Sequence, residues 1–459
     1  MNQLTANQGK GDAMIFNRCL LLHTIGLIIT ALILCSESAN GLPAESALET
    51  RIDSLVNPYL SAGMFSGVIL VAEGEKILFQ KGYGNANYEF GIPNIPSTKF
   101  RIASLSKQFT NAAIGLLIDR GNISPKSQLS DYLPDFPRAD EITVEHLIEH
   151  SSGVPHTNKF DELEHVTRIS LAEMIELLAS KPLDFDPGTD ESYSNGGYDL
   201  LAAIIEHASG QNFELFLAEN IFKPLGLENT GRLHTYEIVA GLADGYLPGS
   251  VPGGVAHARF YPAEIRIGGG SLYSTAEDVY RLFRATFQRK FASDKEADLL
   301  FWDATKKYEI TGRAPGFVAK VVIDIPQDIT IVSLANNYSF LVKWGRRLYQ
   351  AAINDPWKSA PIDRIEKMIH PNTAARFTGT FASRWDRGVI HRSSRGHLVW
   401  EDKKNDWQVS LIPLSDDRFL HPFFDLICRF TAGELADSLI CRPVLTRIEE
   451  ETVFLRIAE

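Results

Sequence analysis

Between Ala44 and Leu60 the apolar residues Leu48, Ile52, Leu55, Val56 and Leu60 recur at helical spacing, which predicts an amphipathic helix. Gly67–Ala72 and Lys76–Gln80 then read as two strands joined by the turn Glu73-Gly-Glu75, the pattern of a hairpin. A second hairpin is predicted far downstream, from Gly316–Asp324 and Ile329–Ala335 around Pro326-Gln-Asp328, and a helical stretch from Phe340 to Ile353 follows it. Strands at both ends with mostly helical patterns between them predict an α+β fold. One antiparallel sheet is built from the two ends and flanked by helices, and the middle of the chain supplies a helical lobe. The segments 355–363 and 370–373 read as a connector. Beyond them the short runs Gly379–Phe381, Leu398–Trp400, Trp407–Ile412 and Phe423–Phe430 are separated by turn residues, which predicts a small all-β, barrel-like domain. The expected units are therefore 1–41, 44–355 and 370–459.

The first unit is set apart by the apolar run Cys19–Leu34, which follows Arg18 and precedes small and polar residues up to Gly41. Its length lies between a signal h-region of about 7–15 residues and a membrane-spanning helix of about 20. Residues 1–41 are read as an export signal, and an uncleaved membrane anchor is the alternative. Either way the remainder is expected outside the cytoplasm, periplasmic or secreted. In the full chain of 459 residues, 45 basic against 57 acidic residues leave a formal charge of −12. Such a chain lacks the positive field that attracts phosphate backbones, which excludes nucleic acid as a partner. Two of the four cysteines belong to the apolar segment, leaving Cys428 and Cys441. Spacing alone does not decide whether these two are joined. No Cys-x-x-Cys or Cys/His cluster suggests structural zinc.

Chemistry enters with Phe100–Ile118, where a loop turns into an amphipathic helix near Ser104. Positions three apart share a helix face, so Lys107 is expected one turn from Ser104. A serine hydroxyl is a poor nucleophile until something takes its proton. Lysine can do so only when neutral, which requires its pKa of about 10.4 to fall by about 3 units, and burial with positive neighbours can produce such a shift. The plain reading of the pair is a helix cap and a solvated lysine. Further on, Tyr193 and Asn195 lie two apart in Phe185–Tyr198, just ahead of the helical pattern Leu200–Ile205. Both side chains could enter one cleft from a loop held by the helix behind. The plain reading here is a polar turn, and Tyr83-Gly-Asn85 repeats the Tyr-x-Asn spacing elsewhere.

Six segments in order carry a resemblance: Ser104-Leu-Ser-Lys107, His150-Ser-Ser-Gly153, Asp186-Pro-Gly188, Tyr193-Ser-Asn195, Gly268–Thr275 and Thr311–Phe317. In these the sequence resembles the serine β-lactamase and penicillin-binding protein superfamily, most closely the class C-like branch that includes esterases and D-amino-acid peptidases. The resemblance runs from about Ala44 to Ile353, and the C-terminal part looks like the small β-barrel appendage of some members. It implies a β-lactamase-like sheet with a helical lobe and a site between them. Residue by residue it implies Ser104 as the acylated nucleophile, Lys107 as its proton partner, Tyr193 as general base or acid and Asn195 as a substrate amide contact. Thr311, Gly312 and Arg313 would line the substrate, with the backbone N–H groups of Ser104 and Arg313 as the oxyanion hole.

One departure stands out. The family's third motif begins with Lys, His or Trp, whereas Ile310 precedes Thr311-Gly312, so this position cannot supply a charge to fix a substrate carboxylate or depress Tyr193. Lys306 and Lys307 are near in sequence, but strand alternation does not assure that either points inward. The expected activity is that of an exported serine hydrolase, with no metal or organic cofactor, forming an acyl-enzyme on a small-molecule or peptide substrate. Esters, amides or D-amino-acid peptides are favoured over β-lactams. The alternative is a slow penicillin-binding-like sensor that keeps the pocket. The oligomeric state is left open.

The rival chemistry is His146-Leu-Ile-Glu149-His150, which fits the inverted zinc-protease pattern His-x-x-Glu-His. Against it, Ser151-Ser-Gly153 should end the helix at once. Gly268–Gly270 and Gly82-Tyr-Gly84 lack the context of a phosphate loop.

Overall fold

The computed structural model describes residues 45–355 and 375–457, except 164–165, 250–253, 292–302, 304 and 338–343 and, beyond Ala382, 383–386, 394–396, 403–406, 414–417, 422–425, 432–437 and 444–451. The export signal read at 1–41 and the connector read beyond Asp355 lie outside the described residues.

Helix α1 (Glu45–Ser61) opens the described chain. Its buried stripe is Leu48, Ile52, Leu55, Val56 and Tyr59, so Tyr59 rather than Leu60 completes the face that the spacing predicted. The hairpin β1 (Gly67–Glu73) and β2 (Lys76–Tyr83) follows. Its turn needs a left-handed residue, which Gly74 supplies at φ +56°. The lobe is helical: α2 (Ser106–Asp119), α3 (Val144–Ile148), α4 (Leu171–Ala179), α5 (Asn195–Ser209), the single turn α6 (Ile267–Gly270) and α7 (Ala276–Phe287). The chain then returns to the sheet through β3 (Lys307–Ala314), β4 (Phe317–Asp324) and β5 (Ile329–Ala335), and α8 (Trp344–Ala352) covers it.

The five strands are ordered β3-β4-β5-β1-β2 and every pairing is antiparallel, with β1 from one end of the domain beside β5 from the other. Because side chains alternate across a strand, β1 buries both faces. Val68, Leu70 and Ala72 join the core shared with the lobe, whereas Ile69 and Val71 join the core under α1 and α8. The predicted α+β layout, a terminal sheet with a helical lobe inserted, is the one found.

The C-terminal region is an antiparallel sheet of β6 (Gly379–Ala382), β7 (Arg387–Arg392), β8 (Leu398–Asp402), β9 (Trp407–Ser410), β10 (Ile412–Pro413), β11 (Arg418–His421), β12 (Leu426–Phe430), β13 (Ser438–Pro443) and β14 (Thr452–Ile457). Its order is β9-β8-β7-β6-β14-β13-β12-β11-β10. The first and last strands in that order are separated in the chain by Leu411 alone, so the sheet must curl until its edges approach, as the barrel-like reading requires. Phe377, Phe381, Trp400, Phe419 and Phe430 fill its interior. Cys428 and Cys441 face each other on β12 and β13 and form a disulfide, which settles the pairing that spacing left open.

Candidate active site

A small three-stranded sheet of Phe100–Arg101, Leu272–Ser274 and Gly231–Arg232 fixes the approach to Ser104. Ile102 donates its N–H to Leu272 O, and Leu272 N–H donates to Ser106 Oγ, so the turn is clamped on both sides. Between these clamps Ala103 has φ +47°, a conformation that strains a residue with a Cβ and persists only where the surroundings enforce it. A 3-10 turn, Ala103–Leu105, then leads into α2. Ser104 sits half-buried on that turn, and Lys107 is buried in the first turn of α2. Strand β3 passes directly behind: a Cβ placed on Gly312 would lie 2.2 Å from Ile102 O and 3.0 Å from Ser104 N. Only glycine permits that approach.

Lys107 Nζ donates to Asn195 Oδ1 at 2.7 Å and to Gly269 O at 2.9 Å. It also lies 4.8 Å from the centre of the Tyr193 ring and 5.1 Å from that of Tyr198. Burial lowers its pKa from 10.5 to about 7, the nearby Asp199 carboxyl opposing and Arg266 adding to the fall. At neutral pH a substantial fraction of this amine is therefore unprotonated and able to accept a proton. Tyr193 donates its hydroxyl to Ser104 Oγ at 2.8 Å. Part of the Tyr193 ring reaches solvent, yet the protein around the phenol pushes its pKa up, with the Ser104 contact and Arg266 pulling the other way. The phenol thus carries its proton at rest, poised to exchange it with the serine rather than to act as a standing base.

Ser194 caps α5 by accepting from Gly197 N–H at 3.0 Å. With Ser194 in extended backbone, that cap places Tyr193 just outside the helix and Asn195 in its first turn, so both meet the Ser104 turn from one short segment. Asn195 is 2% exposed. Its Oδ1 is committed to Lys107, which leaves Nδ2 as the end that can meet a substrate carbonyl. On β3, Ile310 and Gly312 share one face; Ile310 packs against the apolar core of the lobe, while Thr311 is half-buried and Arg313 exposed.

The structure also adds groups around Tyr193: His156, which the sequence reading did not single out, and His150, which it considered only as a zinc ligand and within the motif His150-Ser-Ser-Gly153. His150 and His156 stand 4.6 and 5.5 Å from the Tyr193 ring, centre to centre. Burial and neighbouring cations push both imidazoles down to about 4, so they remain neutral. His150 Nδ1 accepts from Ser194 N–H, which puts its proton on Nε2. Gly269 and Asp199 are further additions. Asp199 accepts from Gly268 N–H, and burial pushes its carboxyl up to about 7. The Gly268–Gly270 run was a visible signal, because a Cβ on Gly268 would lie 1.9 Å from Tyr198 O.

The zinc pattern does not assemble. Helix α3 ends at Ile148 and His150 has φ +62°, so His146 and His150 do not share a helix face. Their Nδ1 atoms instead accept from Thr143 N–H and Ser194 N–H.

Residues 52–352 match the family model described as Beta-lactamase. The chain belongs to the beta-lactamase family. With it the chain joins the serine hydrolase superfamily. The chain is 26% identical over 413 residues to Penicillin-binding protein 4* of Bacillus subtilis, covering 81% of this chain and 91% of that protein. It is 28% identical over 270 residues to Teichoic acid D-alanine hydrolase of Staphylococcus aureus, covering 59% of this chain and 66% of that one. The D-amino acid amidase of Ochrobactrum anthropi has the same fold at a TM-score of 0.58 and 22% identity, over 67% of this chain and 99% of its own. Members of the family named here as relatives are thus hydrolases as well as penicillin-binding proteins.

Proposed function

We propose that this beta-lactamase family member is an extracytoplasmic serine hydrolase that forms an acyl-enzyme at Ser104 with an ester, an amide or a D-amino-acid peptide. The observation that carries the reading is the 2.8 Å contact of Tyr193 with Ser104 Oγ beside a buried Lys107 held near pKa 7. Neutral Lys107 takes the serine proton, with the Tyr193 hydroxyl as the relay, while Oγ bonds to the substrate carbonyl carbon. The oxyanion forms where β3 closes on Ser104 N, and losing a donor there typically removes about 2.7–4 kcal/mol of transition-state stabilisation. Collapse breaks the bond to the leaving group, which receives the proton. Water then releases the acyl group by the same steps in reverse roles.

The D-alanine hydrolase and D-amino acid amidase relatives support D-configured substrates. The cross-strand disulfide suits an oxidising compartment, in keeping with the export signal read at 1–41. In this reading residues 44–355 form the catalytic unit and 370–459 an appended β domain.

A second reading, a penicillin-binding sensor with slow turnover, is favoured by Ile310, which brings no charge to the face behind Ser104. One experiment addresses both. Intact mass is measured after incubation with a fluorophosphonate and with several β-lactams, comparing wild type, Ser104→Ala and Ile310→Lys. The hydrolase reading expects one adduct on wild type, none on Ser104→Ala, and steady turnover of a chromogenic ester. Fast acylation with no turnover would favour the sensor, and labelling that survives Ser104→Ala would defeat both.

A further inference from the structure

The charge missing at position 310 is not restored by the lysines near it. Lys306 pairs with Asp303, Lys307 lies 3.9 Å from the centre of the Tyr349 ring, and Lys320 is bound to Glu309. A different cation lies beside Ser104. Arg266 immediately precedes α6, the turn whose Gly269 carbonyl holds Lys107. Seen from Gly270, a Cβ there would lie 3.3 Å from Arg266 Cβ, 3.4 Å from Arg266 Cδ and 3.8 Å from the carbonyl carbon of Ala103. The arginine stem therefore runs alongside the backbone that carries the nucleophile.

Its far end is placed by two contacts. The guanidinium carbon lies 4.7 Å from the centre of the Tyr261 ring, and Nη2 donates to Asn158 Oδ1. Asn158 belongs to the same turn as His156, whose ring flanks Tyr193. Arg266, Asn158, His156 and Tyr193 thus form a continuous wall. Among the described residues no carboxylate pairs with Arg266, and its Nε is buried without a hydrogen-bond partner. Its charge reaches the buried Asp199 carboxyl without forming an ion pair, and a bound anion would give this partly buried guanidinium the direct partner it lacks. Arg101, the neighbouring arginine, is occupied with Tyr261 O. Arg259 also acts on Tyr261, but Arg266 is the arginine whose stem lies against the Ser104 turn, and its planar fork matches a planar carboxylate.

Resting on the acyl-enzyme reading above, we propose that Arg266 binds a carboxylate of the substrate held at Ser104, in place of the cation that the third motif lacks. The enzyme then selects substrates bearing a carboxylate near the scissile bond, and Arg266 is a specificity-determining residue. Its charge also reaches Lys107 and Tyr193, so the readout must separate recognition from reactivity.

The test uses two aryl esters identical except that the leaving group carries a carboxylate in one and a carboxamide in the other. The quantity read is the ratio of their kcat/KM values, in which any general effect on acylation cancels. Wild type should prefer the carboxylate. Arg266→Gln should lower that preference about tenfold to a hundredfold, chiefly through the KM of the acid, as expected for losing a charged hydrogen bond. Arg266→Lys should keep most of the preference. Fluorophosphonate labelling of each variant establishes that Ser104 is still folded into a reactive site. A ratio unchanged in Arg266→Gln, or no wild-type preference at all, overturns the proposal and leaves the hydrolase reading standing. If neither ester shows Ser104-dependent turnover, the underlying reading fails and the proposal falls with it.

Discussion

The proton acceptor proposed here has a thermodynamic signature independent of any substrate. On folding, the Lys107 amine moves from a pKa of 10.5 to about 7 because it is stripped of water. Throughout the interval between those values the unfolded chain binds a proton that the folded chain does not, so stability rises with pH there. At 1.36 kcal/mol per unit the full penalty is about 5 kcal/mol, present below about pH 7 and lost as pH rises toward 10.5. It amounts to about 3 kcal/mol at about pH 8 and about 1 kcal/mol at about pH 10. Lys107→Met keeps the stem and removes the titration. Its own cost, two carbonyl acceptors on Asn195 and Gly269 left without a donor, is about 1–3 kcal/mol each and does not vary with pH in this window. Urea unfolding of both proteins at the two pH values should therefore show wild type gaining about 2 kcal/mol on the variant between them. Asp199, pushed up to about 7, is mostly ionised across that range in wild type. The acylation rate of wild type should in turn rise through about pH 7. Stability curves that stay parallel would mean that the amine keeps its ordinary pKa in the folded protein, and the reasoning would fail.

Two further outcomes are expected. Gly312→Ala would push a methyl into Ile102 O and toward Ser104 N, displacing β3 from the oxyanion position. Its fluorophosphonate labelling should slow by about a hundredfold to a thousandfold, whereas labelling at the wild-type rate would detach β3 from catalysis. Replacing both Cys428 and Cys441 by serine removes a cross-link closing 13 residues of sequence and should destabilise the C-terminal sheet by about 3 kcal/mol. Calorimetry should then show the C-terminal transition shifted to lower temperature while Ser104 labelling persists; no shift in melting would refute the estimate.

The sequence by itself determined the elements and singled out the candidate reactive groups. Alternation and helical spacing fix where a strand or helix forms, because those patterns are local, and both hairpins and α1 lie where their periodicity put them. The spacing of Ser104 and Lys107, and of Tyr193 and Asn195, was legible for the same reason. Only the tertiary structure decided what these groups do to one another. The lysine hydrogen-bonds Asn195 and Gly269, and among the described residues it is Tyr193 whose side chain is in hydrogen-bond contact with the serine. Arg266 and Asp199 carried no motif that spacing could flag. Their influence acts through space and depends on how much water the fold removes around a charge, a quantity set by segments far apart in the chain. The cross-strand position of the two cysteines is likewise a matter of sheet register, which the residues between them do not encode.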